Sequence, residues 1–298
     1  MAQASKSVLI AGATGYLGRH LISAYHEAGY KVVALARRPE ALVTMSGQIE
    51  RIVFAQATRP ETLKDVMRGV DHIVSALGIT RQTDGLSYDE VDYQANRNLL
   101  DAALDAGLES FTYIHVKNAE AMPKVEMAAA KARFAAELDA APIQSTIVAP
   151  SGFFSDLTEV FEMARKGRVY LFGDGETLIS PIDGRDLAEA CVKASASQEA
   201  RVEIGGPQTF TLNEVACAAF EALGAQARIT HLPFAPARMG VRLAKWLGFR
   251  AAVGPLDFFL AVSRMDMSAP PHGSRTLAAF FRGQVQEIEK AEPQKSLD

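Results

Sequence analysis

Val8-Leu9-Ile10-Ala11-Gly12-Ala13-Thr14-Gly15-Tyr16-Leu17-Gly18 is the stretch whose reading decides the fold. A short apolar run with no room for a helix meets three glycines spaced three apart, and Arg19-His20-Leu21-Ile22 then resumes at helical period. The pattern is strand, tight turn, helix. One glycine permits positive φ in the turn, one lets a pyrophosphate approach the backbone, and one lets the helix pack closely on the strand. The helix N-terminus then offers N–H groups and the positive end of its dipole to phosphate. The spacing is G-x-x-G-x-x-G, so the motif leans on its context. That context is present, because the strand Lys31-Val32-Val33-Ala34-Leu35-Ala36 follows the helix after Gly29. A glycine-rich turn without a ligand is the competing reading.

Arg37-Arg38 closes the second strand. A carboxylate about 20 residues past the glycines would bind the ribose 2′-OH of NAD, whereas guanidinium groups suit a 2′-phosphate. NADP(H) is therefore the expected cofactor, with Arg19 placed to join the cluster. A solvated arginine pair at a strand end is the plain alternative. The third strand, over 51–55, leads to Gln56 and a short helix over 61–68. The fourth, over 70–75, ends in Ala76-Leu77-Gly78, small residues that leave space for a cofactor lying across the strand ends. Expected cofactor contacts are thus Gly12, Thr14, Gly15, Tyr16, Leu17, Gly18, Arg19, Arg37, Arg38, Gln56, Ala76, Leu77 and Gly78.

A polar loop over 80–87 precedes a helix over 88–106 with Val91, Ala95, Leu99, Ala102 and Ala103 on its buried face. Gly107 caps it, and the fifth strand covers 110–116. Strand and helix alternate throughout, which predicts an α/β fold with a doubly wound parallel sheet of the Rossmann type.

The bulk numbers narrow the function classes. At 298 residues the chain can bury a sizeable core. A net charge of −4 without a basic patch argues against nucleic acid. The apolar run after Ser7 breaks at Gly12, so no export signal is expected, and no uninterrupted apolar stretch reaches the roughly 18 residues of a spanning helix, so no integral membrane segment is expected. Cys191 and Cys217 are then expected as free thiols in the cytoplasm.

With these motifs in hand, the chain is similar to the atypical and extended short-chain dehydrogenase/reductases, nearest their NmrA-like and isoflavone-reductase-like branch. The residues that carry the resemblance are 12–18, Val91-Asp92-Tyr93, Asn98-Leu99-Leu100, Ala102-Ala103 to Gly107, 111–116, Thr146 to Phe154, and Pro181 to Ala188. Together they span about two thirds of the chain. The resemblance implies an NAD(P)-binding domain over 1–155 and a smaller C-terminal substrate lobe over 156–283, with about 180–200 returning to the first domain.

Short-chain reductases use a Ser at the end of the fifth strand and Tyr-x-x-x-Lys on the next helix, where one turn sets both side chains on one face. The string Tyr113-Ile114-His115-Val116-Lys117 is a decoy, because in a strand this offset separates the two side chains by about 13 Å. The next helix is expected over 122–138. Counting back from Thr146 without a gap, Lys131 falls where isoflavone-reductase-like proteins have their essential lysine and Met127 at the Tyr position, and alignment on the fifth strand puts His115 at the Ser position. A thioether neither gives nor takes a proton, so the resemblance implies that Lys131 serves alone as ribose anchor and electrostatic support. A solvent-facing lysine on an Ala-rich helix is its alternative. His115 has the ordinary acidity of a proton donor near neutral pH, or is a half-buried histidine tethered to backbone. The other histidines show no ligand spacing, and no metal is expected. No G-x-S-x-G or Walker sequence is present.

Gly152-Phe153-Phe154 follows the sixth strand, so backbone at Pro150, Gly152 and Phe153 is expected to meet the nicotinamide carboxamide. The two rings would wall the pocket, or simply be core. Residues 233–249 form an amphipathic helix that could cover substrate, dock on a partner or rest on a membrane, with packing within the lobe the favoured reading. Residues 254–260 could line an apolar pocket, and the polar tail 284–298 is expected to be disordered.

Two functions follow. The first is an NADP(H)-dependent oxidoreductase that transfers hydride to a small apolar or aromatic molecule. The second is a non-catalytic dinucleotide sensor or assembly protein of the NmrA-like type, which would need a protein partner.

Overall fold

The computed structural model describes residues 5–79 and 85–291. Six strands run in chain order: β1 Ser7–Ala11, β2 Lys31–Ala36, β3 Arg51–Phe54, β4 His72–Ser75, β5 Ser110–Ile114 and β6 Gln144–Pro150. Between them lie helices α1 Tyr16–Glu27, α2 Asn96–Asp105 and α3 Glu126–Ala140. After β6 come α4 Thr158–Arg165, β7 Val169–Phe172, β8 Leu178–Ile179, α5 Gly184–Ser197 and β9 Arg201–Ile204. The C-terminal part holds β10 Phe210–Thr211, α6 Leu212–Ala222, β11 Ile229–Leu232, α7 Phe234–Trp246, α8 Arg250–Val262 and α9 Leu277–Ala291.

The main sheet has the order β3-β2-β1-β4-β5-β6-β9, and all of its pairings are parallel. Parallel strands covered on both faces read as continuous apolar runs, which is why β1 is buried at every position. Its side chains alternate between two cores. Leu9 and Ala11 pack under α2 and α3 with Leu99, Phe111 and Phe134, whereas Val8 and Ile10 pack under α1 and α5 with Leu21, Ile22 and Leu187. A third core joins α4, α6 and α9 through Phe161, Phe220 and Phe281. Among the described residues no helix is long and apolar enough to cross a membrane.

The return of the chain toward the sheet has a visible anchor. Asp183 caps α5 by accepting from the Arg185 N–H at 2.8 Å. The buried Asp186 carboxylate accepts the N–H groups of Ser274 and Arg275 at 3.0 Å each and also holds the Arg275 guanidinium. One carboxylate on α5 thereby fixes the segment that leads into α9.

Several local expectations are corrected. Residues 61–68 are not a helix: one 3₁₀ turn, Pro60–Leu63, gives way to turns, with Asp65 at φ +65. Residues 284–291 are not a disordered tail. Leu277, Phe281, Val285 and Ile288 form a stripe at helical spacing that α9 lays on the third core, and this apolar burial orders an otherwise polar stretch. Residues 292–298, and residues 80–84 of the expected loop, lie outside the described residues. The helix expected over 88–106 opens with a wide π-type segment, Asp89–Ala95, before α2. Asn96 supports this segment. Its amide donates to the carbonyls of Val91 at 3.3 Å and Asp92 at 3.1 Å, while its Oδ1 accepts from Ser75 Oγ at 2.5 Å.

His72 on β4 is buried, with Nδ1 2.6 Å from Ser110 Oγ, and burial lowers its pKa to about 4. The folded value lies below the unfolded one, so this histidine's contribution is present above the unfolded value of 6.5 and is lost as pH falls toward about 4. We expect the urea midpoint to fall over that window, and His72→Asn to flatten part of the slope. Equal slopes for the two proteins would remove His72 from the acid sensitivity.

Candidate functional site

β1 and β4 lie side by side, yet the helix after β1 covers one face of the sheet and the helix after β4 covers the other. That reversal opens a crevice at their carboxyl ends, where ligands of open α/β sheets bind. The glycine turn forms one wall. Gly12 has φ +82, and a Cβ there would stand 2.8 Å from the Ala76 carbonyl oxygen, so the turn sits directly on the end of β4. Gly15 donates its N–H to the Gly12 carbonyl at 2.9 Å. A Cβ on Gly18 would lie 2.0 Å from the same carbonyl, so only glycine lets α1 start so close to the strand.

Among the described residues no side chain caps the start of α1, so its first N–H groups and dipole are open to an anion. Thr14 is half-buried and Gly15 exposed at this end. The side chains of Tyr16 and Leu17 turn elsewhere. The Tyr16 hydroxyl accepts the Gly184 N–H at 3.1 Å, its ring meets the edges of His20 and Phe153, and Leu17 is core. What these two residues present at the turn is their backbone.

Arg37 and Arg38 are exposed beyond the end of β2. The Arg19 guanidinium donates to the Ala41 carbonyl at 2.7 Å, which brings it to the stretch that Arg38 opens. Gln56 has its backbone N–H and carbonyl both held by Thr62 Oγ1 at 3.0 Å.

Lys131 projects from α3 to the ends of β4 and β5. Its Nζ lies 3.3 Å from the Ile114 carbonyl, 3.5 Å from the Leu77 carbonyl and 3.2 Å from Asp92 Oδ1. The ammonium also stands 5.3 Å from the centroid of the Tyr113 ring. The lysine is thus an inward group and not a solvent-facing one. Burial opposes its charge, and Tyr113 and Asp92 more than offset that, so its pKa lies above the ordinary value. Asp92 is fully buried. Burial raises its pKa while the Lys131 charge works to lower it. A Cβ on Gly78 would meet Asp92 Oδ1 at 2.8 Å and Lys131 Nζ at 3.0 Å, so the small residue after β4 leaves this pair its room.

Met127 is buried in a cluster with Tyr88 and Phe258 from α8. Tyr113 does not join Lys117, whose ammonium pairs with Glu203. The Tyr113 hydroxyl is buried with no hydrogen-bond partner among the described residues, and burial pushes its pKa up to about 12.

His115 departs from its expected acidity. It is buried, and this burial, aided by the nearby Lys131 charge, lowers its pKa to about 4. At neutral pH it is an uncharged imidazole. Its Nε2 lies 3.3 Å from Glu120 Oε1, and its Nδ1 has no partner among the described residues. The tether is a carboxylate, not backbone.

The segment after β6 pairs with the chain near residue 182. Gly152 accepts the Ile182 N–H at 2.9 Å, and Phe154 donates to the Ile182 carbonyl at 3.0 Å. The Pro150 carbonyl accepts from Lys117 at 3.1 Å, and the Phe153 N–H donates to Asp156 at 3.2 Å. These backbone groups hold the segment at the strand ends, where a carboxamide would have to compete for them. Phe154 is core and Phe153 half-buried.

Asp92 and Asn96 are the residues that sequence reasoning missed. A carboxylate beside Val91, three residues before Ala95, stands on the face that periodicity assigns to the interior, and a buried carboxylate requires a partner. Among the described residues no group of three or more His, Cys, Asp or Glu is gathered as a metal site.

A family model described as NAD(P)H-binding matches residues 12–198. The chain is 28% identical to a divinyl chlorophyllide a 8-vinyl-reductase of Oryza sativa, over 96% of this chain and 80% of that protein. It is 26% identical to the photosystem II assembly factor Ycf39 of Synechocystis, over 78% of this chain and 72% of that one. In fold it is similar to an NADPH-dependent quinone oxidoreductase of Escherichia coli, solved with NADPH, at a TM-score of 0.75. That match has 19% identity and covers 93% of this chain and 99% of that one.

Proposed function

The chain belongs to the NAD(P)H-binding family, in the atypical short-chain dehydrogenase/reductase class, and on that premise we propose that it is an NADP(H)-dependent oxidoreductase acting on a small apolar or aromatic molecule in the cytoplasm. The observation that carries this reading is the placement of Lys131 Nζ at the ends of β4 and β5, beside the crevice walled by the glycine turn. The residues fit the dinucleotide. Side chains are excluded at Gly12 and Gly18, and α1 begins uncapped.

When bound, the dinucleotide supplies the hydride. The turn and the α1 N-terminus hold the pyrophosphate, Arg37 and Arg38 with Arg19 take the 2′-phosphate, and Lys131 holds the nicotinamide ribose. Asp92 keeps the Lys131 ammonium charged and in place. Near neutral pH His115 is uncharged and no phenol stands where Met127 does, so water would supply the proton that balances hydride transfer. That suits reduction of a polarised double bond, in keeping with the vinyl reductase named among the relatives. Residues 156–283 supply the substrate lobe.

Titration of the purified protein with NADPH, NADP⁺ and NADH tests the cofactor. We expect preference for the phosphorylated forms, reduced about tenfold to a hundredfold in the Arg37→Ala/Arg38→Ala double variant, the range set by charge-assisted hydrogen bonds. No binding of any of the three would overturn the site.

The missing tyrosine, together with the likeness to an assembly factor, favours one rival: a dinucleotide sensor that acts through a protein partner. Binding of NADP⁺ with NADPH nearly ignored, and no turnover on a panel of enones and carbonyl compounds, would establish that rival over the enzyme.

A further inference from the structure

α7 packs on the body of the protein through one face only. Val241 is its single buried residue, yet Met239, Leu243, Trp246 and Leu247 recur at helical spacing on the opposite side. Trp246 is 80% exposed and Met239 69%, and Phe249 follows at 61% in the turn after the helix. Packing within the lobe, the favoured reading of this segment, therefore accounts for the Val241 side of the helix and leaves the opposite side uncovered by any described residue.

The charge around the stripe says what it fits. Residues 233–256 carry Arg238, Arg242, Lys245 and Arg250 and not one carboxylate, in a chain whose net charge is −4. Lys245 is held by Asp257 at 2.7 Å and Arg250 by Glu126 at 3.3 Å. No described carboxylate pairs with Arg238 or Arg242, which flank the stripe on one side. A helix with large aliphatic and aromatic groups on one face and arginines beside them lies in the plane of a bilayer interface. Its apolar groups enter the acyl boundary, and its guanidinium groups extend along their own stems to lipid phosphates. We propose that the α7 face, with Phe249, docks this protein reversibly on an anionic membrane surface. The inference stands independently of the nucleotide site, since none of these residues belongs to it.

Trp246 is the chain's only tryptophan, so its emission reports the contact directly. The full chain is mixed with vesicles of phosphatidylglycerol and phosphatidylcholine, or of phosphatidylcholine alone, and followed by emission and co-sedimentation. The anionic vesicles are expected to shift Trp246 emission to the blue and to carry the protein down, with affinity at least about tenfold above the neutral vesicles. Arg238→Glu/Arg242→Glu should lose that preference. Leu243→Asp, checked for an unchanged thermal midpoint, should abolish the shift while leaving NADPH affinity intact. If that midpoint falls, Met239→Ser replaces it at a more exposed position. Three results would overturn the proposal: no shift with anionic vesicles, undiminished binding by the variants, or a lipid-independent blue shift that grows with protein concentration and doubles the sedimenting mass. The last would assign the face to a second copy of the chain.

Discussion

Replacing Asp92 with alanine is expected to destabilise the folded protein by about 3–5 kcal/mol, the range for removing one partner of a buried ion pair. The carboxylate is fully buried 3.2 Å from Lys131 Nζ, and the lysine side chain is only 12% exposed, so water cannot take over the role of the lost anion. The carbonyls of Leu77 and Ile114 remain, but they neutralise no charge. The Lys131 pKa, now raised, should drop once burial acts unopposed by Asp92. Asp92→Ala/Lys131→Met should recover much of the loss, because the double change leaves no unpaired charge. Urea unfolding of the four proteins in the cycle measures this. Additive losses would show that the two groups do not act as a pair. In activity, Lys131→Met should lower turnover more than it weakens NADPH affinity, which separates a lysine acting at the reacting end of the cofactor from a merely structural one.

The second large effect is expected at Gly18. In Gly18→Ala the new methyl would stand 2.0 Å from the Gly12 carbonyl oxygen and 2.9 Å from the Ala13 Cα, both backbone atoms of the glycine turn. Overpacking costs on the order of 1–3 kcal/mol, and the turn, unlike a core side chain, has no rotamer with which to adapt. NADPH affinity should fall by about tenfold or more, with a lowered thermal midpoint. Gly29→Ala is the control. Gly29, unlike Gly18, has positive φ, at +86, and no described atom lies within 4 Å of its Cβ position, so stability should fall slightly and NADPH affinity hold. Equal losses of affinity in the two variants would mean that the Gly18 packing has no special part in binding.

The distance between reading and structure differs from element to element. β1, the glycine turn and α1 were legible because each depends on neighbours in the chain: an apolar run, residues without Cβ, and a helical stripe. The Tyr113–Lys117 string was separable from a working pair for the same reason, since period alone distinguishes strand from helix. Where reading went astray, a distant partner intervened. The stripe of Val285 and Ile288 carries α9 past the start of the supposed tail because Phe281 and Leu277 already lie on the third core. The acidity of His115 moved because burial and the Lys131 charge act through space.

What the sequence by itself determined is the strand, turn and helix at the N-terminus, the alternation that makes the sheet parallel, and the placement of arginines where the second strand ends. These follow from local periodicity and backbone sterics, which need no knowledge of what lies opposite. Only the tertiary structure decided that Lys131 faces inward against Asp92, that His115 is neutral, and that the apolar side of α7 is left uncovered. Charge and burial are set by whatever the fold brings within a few ångströms, and residues far apart in the chain supply it.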